Sequence, residues 1–290
     1  MGGVWTSGGV DTHTHSTVSD GTEAPGEVVR QAARAGLPAL ALTDHDSVAG
    51  WPEAIAAARE TGLGLLPGIE LSTRLGARSV HVLGYLIDPD DAALVAETAR
   101  IREARRSRAR RIVDAIARDH PLTWDDVLAQ TTPGSTVGRP HIADALVANG
   151  VERDRSAAFA GVLHPRRGYV EPHYAPTPLD GVRLIVAAGG VPVLAHPGAA
   201  GARWVLPEAD LAQLIDAGLF ALELRHRENT PDGAARVAEL ATAFGIDVTG
   251  SSDYHGTGKP NRLGEHTTAP DVVERILERA TGAEAVLPAA

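Results

Sequence analysis

The feature that most constrains the fold is a recurrence: short apolar runs, each closing on a histidine or a carboxylate. Ala39-Leu40-Ala41-Leu42-Thr43 runs into Asp44-His45-Asp46, the run 63–69 ends at Glu70, and the run 79–86 carries His81. After residue 179 the pattern returns, with 191–194 leading into Ala195-His196-Pro197, 220–224 into Arg225-His226, and 246–249 into Ser252-Asp253-Tyr254-His255. Between these runs lie stretches of helical spacing, such as 27–35, closed by Gly36, and 51–61. Continuous apolar runs suit parallel strands buried on both faces. Alternation of such strands with helices, with polar groups at the carboxyl ends, is the pattern of a (β/α) barrel, whose sites lie at that end.

The opening segment, Val10-Asp11-Thr12-His13-Thr14-His15, reads as a further short strand followed by Asp20 in a loop. Residues two apart on a strand share a face, so His13 and His15 can converge on one ion. Taken alone, His-x-His fits two solvated histidines on an edge strand equally well. The chain has no cysteine, so any metal site has only His, Asp and Glu to draw on. With a net charge of −10 and 4% aromatic residues, neither passive binding to a long polyanion nor a base-stacking surface is expected. No apolar stretch is long enough to span a bilayer and none reads as a targeting segment, so a soluble, cytoplasmic protein without membrane association is expected. Nothing points to an obligate protein partner.

The alternation breaks after Asp88. Residues 90–120 are helix-forming and rich in arginine, short helical segments follow at 123–130, 141–149 and 156–163, and Pro165, Pro172, Pro176 and Pro178 mark the end. The expected organisation is therefore a barrel over 1–97, an inserted helical domain over 98–178, and the rest of the barrel over 179–290. Helical spacing spreads Arg100, Arg102, Arg105, Arg106, Arg108, Arg110 and Arg111 around much of the circumference, with Glu97 and Glu103 as partners, which predicts a solvated structural helix. Gly138-Arg139-Pro140-His141 places Arg139 at a helix start, where free N–H groups favour phosphate.

The strand-end groups are His13, His15, Asp20, His45, Glu70, His81, His196, Asp253 and His255. They are too many for one ion, since a single site takes four to six ligands. Asp-x-His-x-His-Ser with its Ser-Asp-Gly, Thr43-Asp44-His45-Asp46, Pro67-Gly68-Ile69-Glu70, Ala195-His196-Pro197 and Ser252-Asp253-Tyr254-His255-Gly256 together resemble the PHP family, named for polymerase and histidinol phosphatase domains. The likeness covers both ends of the chain, and the insertion resembles the bacterial nucleotide-directed branch. It implies an α/β fold, a distorted (β/α)7 barrel with a small inserted helical domain, and two or three divalent ions, Mn, Fe or Zn.

By that resemblance His13, His15, Glu70 and Asp253 hold one ion, Glu70 bridges to a second at His81 and His196, and Asp20, His45 and His255 hold a third. Arg139 and His141 are implied to hold substrate phosphate. Arg225 and His226 end a strand at the same rim, His226 being the better candidate for a catalytic acid–base contact; relatives carry a further His where Asn229 stands. Clustered ions activate water for in-line attack on phosphorus. The expected function is hydrolysis of nucleotide phosphate monoesters, chiefly the 3′-phosphate of nucleoside 3′,5′-bisphosphates, and similar enzymes trim short 5′-phosphorylated RNA. Alternatives are an AMP-type or histidinol-phosphate phosphatase or, outside the enzymes, a non-catalytic metal-binding module.

Overall fold

The computed structural model describes residues 8–201, 203 and 205–288. Its centre is a curled six-stranded sheet in sequence order: β1 (Ala39–Leu42), β2 (Gly64–Leu75), β3 (Arg78–Tyr85), β4 (Val191–Leu194), β5 (Ala221–Arg225) and β6 (Asp247–Gly250). The pairs β1–β2, β4–β5 and β5–β6 are parallel. Each returns through a helix, as parallel strands require: α2 (Trp51–Thr61), α8 (Glu208–Asp216) and α9 (Pro231–Phe244), with α1 (Pro25–Arg34) before β1, α7 (Pro178–Ala187) before β4 and α10 (Pro270–Arg279) after β6. None of the described helices is long and apolar enough to cross a membrane.

Two departures from regular strand–helix alternation shape the site. β3 runs antiparallel to both β2 and β4, because only Gly76 and Ala77 separate it from β2, and Gly76 takes the φ of 60° that so tight a turn asks for. The opening segment is not a ladder strand. It makes single parallel bridges, Asp11 to Leu40 and Thr14 to Tyr254, touching β1 on one side and the chain just beyond β6 on the other. Its threonines divert hydrogen bonding to side chains: Thr14 Oγ1 donates to the Ala41 carbonyl at 2.7 Å, and the Thr12 and Thr268 hydroxyls share a bond of 2.8 Å.

The register places Val82, Leu194 and Leu222 side by side on one face, and Leu83, Val193 and Ala221 on the other. The first set joins a cluster with Leu71, Ile185 and Val237, the second one with Leu66 and Tyr85. Burying a large aliphatic side chain is worth about 1.5–3 kcal/mol, so both faces anchor the strands whose ends carry the site.

Residues 92–160 form α3 (Ala92–Ile116), capped by the Asp91 carboxylate on the Leu94 N–H, then α4 (Trp124–Leu128), α5 (Arg139–Ala148) and α6 (Arg155–Ala160). They share an apolar cluster of their own around Ile112, Ile116, Val127, Ile142 and Leu146. Backbone and side-chain bonds tie this unit to the strand ends: Thr136 N–H to Val18 O at 2.9 Å, Thr132 Oγ1 to Thr17 O at 2.9 Å, and Arg155 to Asp20 O at 3.0 Å.

Candidate active site

All nine candidate ligands meet in one place, although Glu70 and His81 lie inside β2 and β3 rather than at their ends and Asp20 lies in a turn. The Nε2 atoms of His13 and His15 lie 3.0 Å apart, each 3.1–3.2 Å from Glu70 Oε2, and Asp253 Oδ1 stands 3.5 and 3.3 Å from the same nitrogens. The other Glu70 oxygen, Oε1, faces His81 Nδ1 at 2.7 Å and His196 Nε2 at 3.2 Å. Asp20 reaches His255 Nε2 at 3.1 Å and His45 Nε2 at 3.8 Å, and His45 Nδ1 turns back to Glu70 Oε2 at 3.1 Å. Glu70 is thus shared by the sets around it, its two oxygens facing different histidines.

These side chains fit divalent ions. Neighbouring ligands on an ion with bonds of about 2.1 Å stand about 3.0–3.4 Å apart, and most of the spacings here fall in or near that range, within limits of 2.7 and 3.8 Å. Asp20 Oδ1 and His45 Nδ1 are buried close to would-be partners yet make no hydrogen bond, so lone pairs rather than donor and acceptor face each other. Outer contacts fix the ring orientations. His13 Nδ1 donates to Glu223 Oε1 at 3.2 Å, His255 Nδ1 to the Asp253 carbonyl at 2.8 Å, and His15 Nδ1 to Ser19 Oγ at 3.2 Å, whose own proton goes to Asp44. In the neutral tautomer each ring therefore offers its Nε2 lone pair to the centre, the support typical of metal-binding histidines. Asp46, His196 and Asp253 adopt left-handed backbone, with φ of 53°, 30° and 54°.

The electrostatics agree. Burial works against ionisation of Asp20, Glu70 and Asp253, but the groups facing them outweigh it and hold all three well below the usual carboxylate range: His255 and His45 for Asp20, His45 and His81 for Glu70, Lys259 and His255 for Asp253, while burial keeps His45 and His255 themselves below the ordinary imidazole value. Burial also disfavours a proton on His15, yet hydrogen bonds to Asp253 and Glu70 push it up to about 9. The field that draws a proton here draws a dication, and the two compete for the same lone pairs.

Facing this cluster across a cavity of about 720 Å³ is a wall that includes Arg105, Arg108, Arg139 and His173. Arg105 donates to Asp46 Oδ2 at 3.1 Å and Ser72 Oγ at 2.8 Å, while its Nε is buried without a partner. Arg108 also has a buried, partnerless Nε; burial, with Arg105, Arg139 and Arg74 nearby, brings its pKa down to about 9. Burial and Arg105 lower Arg139 likewise. Buried like charges are costly unless an anion joins them.

Other expectations are placed differently. His141 does not line the cavity; its Nδ1 accepts the Gly138 N–H at 3.0 Å and caps α5. Arg225 is exposed and outside the cavity, because a β-bulge between Glu223 and Arg225 turns it away from the face that Glu223 occupies, and Arg227 lines the wall instead. His226 is buried at the cluster: Nδ1 accepts the Glu228 N–H at 3.1 Å, and Nε2 lies 3.5 Å from Asp253 Oδ2. Asn229 holds a loop, bonding Gly198 N, Glu223 O and Leu224 O. The helix expected to be solvated buries two of its arginines. On α3 the buried stripe runs Leu94, Thr98, Ile101, Arg105, Arg108, Ile112, Ile116, so the signal was two cations in phase with an apolar face. Glu223 was missed too, an acid inside the apolar run Ala221-Leu222-Glu223-Leu224.

Comparison with known proteins agrees with this geometry. The PHP domain matches residues 11–119. A 3′,5′-nucleoside bisphosphate phosphatase of Chromobacterium violaceum is 34% identical, the alignment covering 97% of this chain and 99% of that one. The 5′-3′ exoribonuclease Rnm of Salmonella typhimurium is 31% identical, with 92% of each covered. Among solved structures, a Bifidobacterium adolescentis protein assigned as a metal-dependent phosphoesterase superposes with a TM-score of 0.91 at 43% identity, covering 95% of this chain and 97% of that one. The chain belongs to the PHP domain family and is a metal-dependent phosphoesterase.

Proposed function

We propose that the chain removes the 3′-phosphate from nucleoside 3′,5′-bisphosphates. The observation that carries this reading is the division of one cavity into two walls, His and carboxylate on one side and, on the other, clustered arginines of which Arg105 and Arg108 each keep a buried Nε without a partner. A bisphosphate presents one phosphate to each. In this reading His13, His15, Glu70 and Asp253 hold one ion, Glu70, His81 and His196 a second, and Asp20, His45 and His255 a third. Imidazole and carboxylate suit Mn, Fe or Zn alike. Such ions supply Lewis acidity, which activates water near neutral pH and offsets charge on the phosphoryl group.

The chain's own groups do the rest. Arg139, Arg105 and Arg108 hold the remote phosphate, a guanidinium offering two parallel donors to one anion. Nδ1 of His226 is taken by the Glu228 amide, so Nε2, buried behind the cavity lining and 3.5 Å from Asp253 Oδ2, is the atom this reading assigns to an acid–base contact at the cluster. Residues 98–178 act as the recognition unit, and Glu223 keeps His13 oriented. The C. violaceum relative bears the name of this activity. A 5′-phosphorylated RNA end presents the same pair of charges, a terminal phosphate and a scissile diester, and the similarity to Rnm favours it as a second substrate class. The test is phosphate or nucleotide release, with Mn²⁺, from adenosine 3′,5′-bisphosphate, AMP, histidinol phosphate and a short 5′-phosphorylated RNA. Adenosine 3′,5′-bisphosphate should lead, and preference for either monophosphate would sink the two-wall reading.

A further inference from the structure

Lys259 is neither a candidate ligand nor part of the arginine wall. It lines the cavity four residues after His255, on a loop pinned by Asn261, whose Nδ2 donates to Ser252 O at 2.7 Å, and by the Gly264 N–H to Asp11 Oδ2 at 2.8 Å. Its Nζ lies 2.6 Å from Asp253 Oδ2 and 3.2 Å from Glu228 Oε1. The two oxygens of Asp253 therefore have separate surroundings. Oδ1 faces His13, His15 and His255 at 3.3–3.5 Å, while Oδ2 is held by the ammonium. The Asp253 side chain is only 3% exposed, which sets this contact apart from a solvated surface pair.

We infer that Lys259 is a positioning residue: it reserves one oxygen of Asp253, so that the carboxylate meets the metal site through Oδ1 alone, and it weakens that site's hold on its ion. This rests on the reading of Asp253 as a metal ligand. A fixed positive charge beside a dication site opposes ion binding, and its removal frees Oδ2 to turn inward. Loss of Lys259 should thus tighten metal binding, whereas a residue that merely stabilises the fold would, on removal, loosen it.

The experiment equilibrates the protein against chelator-buffered Mn²⁺ at graded free concentrations and counts bound Mn²⁺, with the visible spectrum of the Co²⁺-substituted protein as a second readout. In Lys259→Met the half-loading concentration for the affected ion should fall at least about tenfold, the effect of removing a unit charge about 6 Å from a dication even at the full dielectric constant of water. The Co²⁺ bands should weaken as a second oxygen joins the ion, and kcat should drop with KM for an aryl phosphate little changed. Lys259→Arg, which keeps the charge, should restore wild-type values. Lys259→Gln, checked for folding by circular dichroism, repeats the test with a polar side chain. A half-loading concentration that stays put or rises in both the Met and Gln variants overturns the inference, as does an unchanged Co²⁺ spectrum. Wild-type protein that takes up no Mn²⁺ overturns the metal assignment itself, and this inference with it.

Discussion

At the strand ends, histidines and carboxylates interleave, so each buried charge has an opposite neighbour within a few ångströms; across the cavity, Arg105, Arg108 and Arg139 have mainly one another. The first wall can neutralise itself by moving protons among its members. The second can do so only in part: Asp46 pairs with Arg105, but Arg108 keeps a buried donor without an acceptor. A self-compensating cluster can wait for its ions, whereas a cluster of like charge is completed from outside. The difference separates chemistry from recognition, and variants on the two walls should fail in different ways.

The largest effect is expected at Glu70. Glu70→Gln removes the carboxylate common to several histidines and should cut turnover of every substrate, aryl phosphates included, on the order of a thousandfold. Elemental analysis should show more than one ion lost or weakened. Full metal content with full activity would break the ligand wall as described. On the opposite wall, Arg108→Ala or Arg139→Ala removes a charge-assisted contact worth about 1.5–3 kcal/mol, a ten- to hundredfold loss in kcat/KM for a nucleoside 3′,5′-bisphosphate. An aryl phosphate has nothing to place there and should be nearly unaffected. Equal losses on both substrates would merge the two walls into one site. The smallest effect belongs to Arg225→Ala, where the bulge has already turned the side chain out of the cavity; kcat/KM should stay within about twofold of wild type. A tenfold loss there would mean that the wall extends beyond the residues lining it.

Much of the candidate ligand wall was legible in the sequence because His45, Glu70, His196 and Asp253 each follow an apolar run, and the chain just past such a run is a fixed address. These four could be placed without knowing how the strands pair, whereas His13 and His15 belong to a segment held by single bridges rather than by a ladder. The antiparallel course of β3 did not matter to His81, whose register opposite Ser72 still brings it to Glu70. The arginine wall was less legible. Arg105 and Arg108 sit among five other arginines on one helix, and only the phase of the buried stripe tells them apart. Arg225 went astray because one bulge reverses a strand's facing, and nothing in Leu224-Arg225-His226 announces it. His141 reached the right helix terminus, but its Nδ1 accepts a backbone N–H and its side chain stands outside the cavity lining. Lys259 was invisible, since its contact depends on a loop folding back across six residues.

The left-handed backbone at Asp46, His196 and Asp253 bears on how such a protein can change over generations. Each of these non-glycine residues is held in a conformation costing about 1 kcal/mol or more, while glycine adopts it freely. Selection for heat resistance alone would therefore favour glycine or asparagine at these places, and each such step would strip the site of a side chain it uses, a candidate ligand at His196 or Asp253 and the partner of Arg105 at Asp46. The chain would grow sturdier as it went blank. What keeps aspartate and histidine there is work the residues do after folding, so in a set of descendants those three positions should record whether the activity was still needed.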